Sequence, residues 1–341
     1  MSPPIIAFFN NKGGVGNTSL VYHLAWMYWD LGLSVIAADL DPQANLTAAF
    51  LSEERLVEIW EGEETPNTLF RSIKPLLRGM GDIASPPLEK IAEHLSLLVG
   101  DLDLSNFEEE LSSQWAGCLE GKERAFRVIS AFRRLLLDAA QQTQTQVILM
   151  DLGPNLGAIN RAALIASDFV VMPLSPDLFS LQGLKNLGPT LSRWREEWQE
   201  RLRKNPVVDL VLPPGQMTPA GYIILQPGVK ADRPVGAFER WMFKIPSTYA
   251  EKVLGESPLL SPVIETIADV QHDPHCLALL KHYQSLMPMA QEARKPIFFL
   301  KPADGAIGSH TAAVKKVYQD FQALAKQIAQ RINLEMESVL D

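Results

Sequence analysis

Asn10-Asn11-Lys12-Gly13-Gly14-Val15-Gly16-Asn17-Thr18-Ser19 constrains this chain more than any other stretch. It follows the apolar run Ile5-Ile6-Ala7-Phe8-Phe9, which reads as a buried strand, and precedes Leu20 to Leu31, long enough for a helix that Gly32 would end. Strand, glycine loop and helix are the setting a phosphate-binding loop needs. Glycines let several backbone N–H groups turn inward, and the positive end of the next helix adds to the attraction for phosphate. Thr18 occupies the place of a magnesium-ligating hydroxyl. The pattern G-x-x-x-x-G-K-[ST] would put lysine before that hydroxyl, but Asn17 stands there, and a cation occurs earlier, at Lys12. An ordinary glycine turn would use the same residues, so the loop alone does not decide.

A second apolar run, Leu33 to Ala38, ends in Asp39-Leu40-Asp41-Pro42-Gln43-Ala44-Asn45. Two carboxylates at the end of a buried strand are costly unless they meet a cation or water. Ligands bind at strand C-termini in open parallel sheets, so these carboxylates and the glycine loop are expected to share a crevice. A helix cap formed by Asp41 ahead of Pro42 explains one aspartate and not both. Val147-Ile148-Leu149-Met150-Asp151 is the clearest strand, and its terminal carboxylate suits a magnesium held through water. Asp39 and Asp41 join Thr18 and Asp151 as candidate metal ligands.

Further strands are expected at Leu95–Val99, Phe169–Leu174 and Gly221–Gln226, with a helix at Arg124–Ala140 and another that runs through Ala166 after a turn at Gly153-Pro154-Asn155. Strands that are apolar throughout and alternate with helices indicate an α/β fold: a doubly wound, mostly parallel sheet covered on both faces. The charged stretch Arg193–Lys204 reads as a solvated helix face, Pro206–Pro219 as a loop. Residues 52–95 read as short helices and loops, and 228–275 as irregular; both look like insertions in one domain spanning 1–341. Thr311–Ile332 places Val317, Phe321, Leu324 and Ile328 on one helical stripe.

Net charge is −9 over 341 residues, which excludes a uniformly basic nucleic-acid surface but not a local patch. Cys118 and Cys276 stand far apart and suit a reducing cytoplasm better than a disulfide scaffold. His272 and His275 lack further ligands nearby in sequence. The first strand begins too early to leave room for a signal peptide, and there is no apolar run of about 18 residues, so a cytoplasmic protein without membrane attachment is expected.

With these blocks in order, the chain resembles the ParA/Soj branch of the deviant Walker A P-loop ATPases, relatives of MinD and the nitrogenase iron protein. Lys12-Gly13-Gly14-Val15-Gly16 is similar to that family's K-G-G-x-G loop, and Asp39 to Asn45 to its D-x-D-P-Q-x-N segment. Asp151-Leu152-Gly153-Pro154, followed by Pro173 and Phe179 to Leu184, resembles its D-x-P-P block. Gln291 to Ile297 resembles an E-A-x-x-x-K-P segment near the family's end. The resemblance implies ATP and Mg²⁺ as ligands and a nucleotide-sandwich homodimer. In it Lys12 would reach the partner subunit's nucleotide, while Gly13, Gly14, Val15, Gly16, Asn17, Thr18 and Ser19 would surround the phosphates. Asp41 would position the attacking water or a metal water, Asp151 would hold the metal's outer shell, and Gln226 would lie beside adenine. DNA, plasmid or chromosome partition or intracellular positioning is the implied role, with a ParB-like partner, non-specific DNA binding and a nucleoid-associated location.

Two departures stand out: Asn17 in place of the second lysine, and Gly153 in place of proline. Loss of that charge implies slow or absent hydrolysis with nucleotide binding retained. The alternative is a nucleotide-binding regulatory switch on a protein partner, without DNA cargo and without turnover. An amidotransferase-type ligase on the same fold would need a glutaminase cysteine, and neither cysteine has a suitable setting. Arg233, Arg240, Lys244, Lys315 and Lys316 are the candidates for a basic patch.

Overall fold

The chain folds around an eight-stranded sheet whose strands lie side by side in the order 88–92, 95–98, 35–39, 147–151, 5–8, 169–174, 218–225 and 276–280. The computed structural model describes residues 2–62, 67–226, 235–257, 264–281, 283 and 286–336. The strands are β1 Ile5–Phe8, β2 Val35–Asp39, β3 Leu88–Ala92, β4 Leu95–Leu98, β5 Val147–Asp151, β6 Phe169–Leu174, β7 Thr218–Leu225 and β8 Cys276–Leu280. All pairings are parallel except β3 with β4. The helices are α1 Asn17–Asp30, α2 Asn45–Phe50, α3 Glu53–Glu61, α4 Leu69–Leu77, α5 Glu108–Leu119, α6 Glu123–Ile129 and α7 Ala131–Thr143. They continue with α8 Ala158–Ala166, α9 Leu178–Leu202, α10 Val235–Met242, α11 Ile245–Tyr249, α12 Ile267–His272, α13 Leu286–Ala293 and α14 Ser309–Arg331.

Successive side chains on a strand point to opposite faces, and both faces here are buried. Ile5, Ala7 and Ile36 join a core under α4 to α9, α11 and α12. Ile6, Phe8, Val35 and Ala37 join a second core under α1, α2, α13 and α14. That two-sided burial explains why the strands read as continuous apolar runs. The helical stripe expected near the end of the chain is α14, with Val317, Phe321, Leu324 and Ile328 buried.

Four expectations change. Residues 52–95 contribute an edge strand, β3, besides α3 and α4. The helix expected at Arg124–Ala140 is two helices that meet at Ser130, whose hydroxyl donates to the Arg127 carbonyl (3.3 Å). A serine hydroxyl that bonds nearby backbone competes with the helical ladder. In the Arg193–Lys204 segment, which runs to the end of α9 and just past it, Arg193, Arg203 and Lys204 are exposed as a solvated face requires, but Arg201 is buried with its guanidinium over the Trp115 ring at 4.1 Å. The region read as irregular carries α10, α11 and α12, and its final residue, His275, is followed by β8. Cys276-Leu277-Ala278-Leu279-Leu280 has no β-branched residue and fits a short helix equally well by pattern; only pairing with β7 makes it a strand.

Candidate functional site

The glycine loop lies where β1 hands over to α1, at the C-terminal edge of the sheet. Asn10 anchors its start: the side-chain amide donates to the Pro173 carbonyl (2.6 Å), and its oxygen accepts from the Lys12 N–H (3.1 Å). Gly14 and Gly16 have φ of +74° and +91°, in the left-handed region that side chains rarely adopt. On the other side α9 presses close. A Cβ on Gly183 would fall 2.6 Å from Asn11 Oδ1, so any side chain there would displace the Asn11 amide. Val15 is buried, while Thr18 and Ser19 sit in the first turn of α1. Asn17 is 9% exposed, and its Oδ1 is buried without a hydrogen-bond partner. Gln226 follows β7 and donates its N–H to the Leu280 carbonyl (2.9 Å). The preceding Leu225 places its Cδ1 3.2 Å from where a Cβ on Gly16 would be, so this strand end adjoins the loop.

The three aspartates converge as the strand order requires, because β2 and β5 are neighbours with Asp39 opposite Asp151. Their environments differ. Asp39 accepts from the Thr47 N–H (2.7 Å), the Thr47 hydroxyl (2.8 Å) and the Asp41 N–H (3.2 Å). Thr47 in turn accepts from the Gly100 N–H (2.9 Å), which ties β4 to the same network. Asp41 accepts from the Gln43 N–H (3.0 Å). Both oxygens of Asp151 are buried; the Thr18 hydroxyl and the Leu152 N–H lie beside them, but neither makes a hydrogen bond of full geometry.

Burial pushes all three carboxyls up. Asp39 reaches about 7 even though the Thr47 and Asp41 donors oppose the shift. Asp41 rises for the same reason. For Asp151 the charges of Asp39 and Asp41 add to burial, and the Thr18 hydroxyl beside it pulls the other way. A buried cluster of this kind holds its full negative charge only with a cation present. The donor set, two carboxylates and a hydroxyl, is the hard-oxygen kind that Mg²⁺ takes, so Thr18, Asp41 and Asp151 fit that ion. Asp39 has its oxygens committed within the fold and fits less well.

Lys12 forms an ion pair with Asp177 of its own chain. Asp177 caps α9, accepting from the Ser180 N–H (2.9 Å). Sequence reading passed over it, although Ser175-Pro176-Asp177 ahead of a helix is a recognisable cap signal. Asn160 was also passed over; it holds the loop after Asp151, donating to the carbonyls of Gly153 and Asn155 (both 2.6 Å).

The basic candidates do not form one patch. Arg240 and Lys244 flank Trp241, 5.2 and 5.4 Å from its ring centre, in the segment whose Met242 and Ile245 belong to the first core. Lys315 and Lys316 lie on α14, over the opposite face, and Lys316 pairs with Asp320 (2.7 Å). Arg233 lies outside the described residues.

A family model described as an AAA domain matches residues 4–204, the part that holds the glycine loop and all three aspartates. The chain belongs to the ParA/Soj-type family of P-loop ATPases. Among curated relatives it is 28% identical to the cell division protein PomZ of Myxococcus xanthus over 193 residues, 56% of this chain and 52% of that protein. It is 30% identical to the protein IncC of Escherichia coli over 188 residues, 55% of this chain and 45% of that one. It is 26% identical to the chromosome partitioning protein ParA of Caulobacter vibrioides over 204 residues, 60% and 68% respectively. The chain spans about half the length of the first two. Among solved structures, protein DIP2308 of Corynebacterium diphtheriae superposes with a TM-score of 0.70 at 24% identity, covering 96% of this chain and 98% of that one. The ATP complex of McdA(D38A) from Cyanothece superposes with a TM-score of 0.61 at 13% identity, covering 100% and 99%. These two likenesses bear on the fold, a mostly parallel sheet with the family's architecture. Among the described residues, no helix is long and apolar enough to cross a membrane.

Proposed function

We propose that this protein binds ATP with Mg²⁺, self-associates when it does so, and acts in DNA partition or intracellular positioning. The observation that carries the reading is the Asp151 carboxylate, buried beside Thr18 with both oxygens unpartnered, next to a loop whose Gly14 and Gly16 open backbone N–H groups toward phosphate. Gly13, Gly14, Val15, Gly16, Asn17, Thr18 and Ser19 would surround the phosphates. Thr18, Asp41 and Asp151 would hold the metal, and Gln226 would flank the base. The metal, when bound, would neutralise phosphate charge. Asp39 would hold Asp41 and the start of α2 in place. Asp41 would orient water.

Self-association is supported by what rims the loop. Phe179 is 71% exposed, Leu178 44% and Leu156 37%, an apolar fringe of the kind that a second copy covers. Lys12, held by Asp177 in the single chain, would exchange that partner for a phosphate of the facing subunit's nucleotide. Light scattering with and without ATP·Mg²⁺ tests this. Wild type is expected to become dimeric with nucleotide, and Lys12→Ala to stay monomeric while keeping most of its one-subunit affinity. A dimer independent of nucleotide and of Lys12 would overturn it, as would no binding by calorimetry at millimolar ATP·Mg²⁺.

Asn17 sets the expected rate. Its amide can donate to phosphate but cannot neutralise the charge that builds during phosphoryl transfer. Wild-type hydrolysis is therefore expected to be very slow, and Asn17→Lys to raise it at least about tenfold, equivalent to ~1.4 kcal/mol. A phosphate-release assay at saturating ATP reads both rates.

A second reading, a regulatory switch acting on a protein without DNA, is supported by the net charge of −9 and by the pairing of Lys316 with Asp320. Mobility shifts on random duplex at low salt decide between them. Non-specific binding would weaken steeply with salt, by about 0.9 in log–log slope per phosphate contact.

A further inference from the structure

The loop that follows Asp151 is held from outside the nucleotide site by a residue of the long segment between Asp41 and Asp151. Helix α8 begins at Ala158 behind Gly157, which has no side chain to cap it. The first N–H groups of a helix need acceptors from elsewhere. Glu108, the first residue of α5, supplies them: its carboxylate accepts from the N–H groups of Ala158 and Ile159, the latter at 2.9 Å. A Cβ on Gly157 would lie 2.6 Å from Glu108 Oε1, so a side chain there would push the carboxylate off its donors. The loop is pinned at its other end by the buried Asn160 amide on the Gly153 and Asn155 carbonyls. Between these anchors, Gly153 and Pro154 meet the site. A Cβ on Gly153 would lie 3.0 Å from Asp41 Oδ1, and Pro154 Cγ is 3.6 Å from where a Cβ on Gly13 would be.

We propose that Glu108 is a positioning residue for the nucleotide site: a carboxylate cap from α5 that fixes the start of α8 and thereby holds the Gly153–Pro154 turn against Asp41 and the glycine loop. This deepens the nucleotide-binding reading above and rests on it for its effect on affinity. The cap itself does not. A negative group at a helix N-terminus is favourable both as an acceptor and through the helix dipole. Losing it frees two buried N–H groups and lets the first turn of α8 fray, which loosens the turn that borders Gly13. α5 itself packs against α8 and α9 and follows β4 within the same core, so the cap is delivered by a rigid element.

Glu108→Ala, Glu108→Gln and wild type would be compared by amide hydrogen exchange, thermal unfolding and binding of a fluorescent ATP analogue with Mg²⁺, all well below the unfolding temperature. Expected for Glu108→Ala are at least tenfold faster exchange in the peptide covering 153–160, unchanged exchange in β1 and the core of α1, and roughly tenfold weaker nucleotide binding. Glu108→Gln keeps one accepting oxygen for one N–H but turns an NH2 donor toward the other, so it should recover only part of both and fall between wild type and Glu108→Ala. Unchanged exchange at 153–160 in Glu108→Ala would overturn the cap. Faster exchange there with unchanged affinity, in a wild type that binds, would overturn the link to the site. If wild type binds no nucleotide while the exchange result holds, the nucleotide reading fails, the cap stands, and the link to the site falls with that reading.

Discussion

Gly188→Ala is expected to destabilise the protein by ~3 kcal/mol, the upper part of the usual range for overpacking. In an exposed helix the same change would stabilise by about 1 kcal/mol, because alanine is the better helix former. Here the sign reverses. Gly188 lies within α9, and a Cβ there would enter the van der Waals envelope of the Lys252 carbonyl oxygen and sit 3.0 Å from the Val253 nitrogen. Those atoms belong to the π-helical turn Ala250–Leu254, which continues directly from α11 with its buried Tyr249. Backbone there cannot give way as a flexible side chain could. Because α9 also carries Asp177 and Gly183 against the glycine loop, nucleotide affinity should fall together with stability. Urea unfolding of the variant gives the stability change directly. A midpoint equal to or above that of wild type would show that the two segments are less closely packed than described.

Between pH 7 and 5, wild type is expected to lose about 2 kcal/mol of stability through His23 alone, approaching ~3 kcal/mol near pH 4. His23 is buried in α1, stacked on Phe321 at 5.0 Å and edge-on to Phe298 at 5.8 Å. Its Nδ1–H donates to the Ser19 carbonyl (2.7 Å), and Nε2 accepts from the Ile297 N–H (3.2 Å). Both nitrogens are thus committed in the neutral form. Burial lowers its pKa from the usual 6.5 to about 4, opposed only by the Ser19 bond. The unfolded chain takes up a proton below about 6.5 that the folded chain refuses until about 4. Stability is therefore fully present above 6.5 and falls through that window. The raised carboxyls of Asp39, Asp41 and Asp151 act in the opposite direction over much of the same range. The readout is accordingly the difference between wild type and His23→Gln in denaturant unfolding at pH 7 and 5. The variant should be less stable at pH 7 and lack this part of the slope; parallel pH profiles would refute the assignment. Since Ser19 belongs to the first turn after the glycine loop and Ile297 to the segment before α14, acidification should also loosen the loop's helix from the end of the chain.

The blocks legible in sequence were those whose chemistry is local. Four apolar residues followed by an aspartate at Val147–Asp151 read as a strand that ends at a site, and Gly14 and Gly16 adopt the left-handed conformations that a loop of this composition allows. The alternation of buried strands and helices determined a parallel α/β sheet, because each apolar run needs cover on both faces. The order of the strands was not legible. It depends on which edges meet, and that order is what sets Asp39 opposite Asp151. Edge strands β3 and β8 escaped notice because half-buried or unbranched segments carry no distinctive period, and pairing alone makes them strands.

Single residues divide the same way. The sequence by itself determined that Asn17 removes a charge from the loop, that a cation remains at Lys12, and that three carboxylates end two strands. Only the tertiary structure decided how each is spent. Asp39 is consumed by Thr47 and the Asp41 N–H, Asp151 is left with open oxygens, Lys12 is held by Asp177, 165 residues away, and Glu108 reaches the start of α8, 50 residues on. Hydrogen bonds act over about 3 Å in space whatever the separation along the chain. A residue's chemistry is therefore local information, whereas its partner is a property of the packed fold.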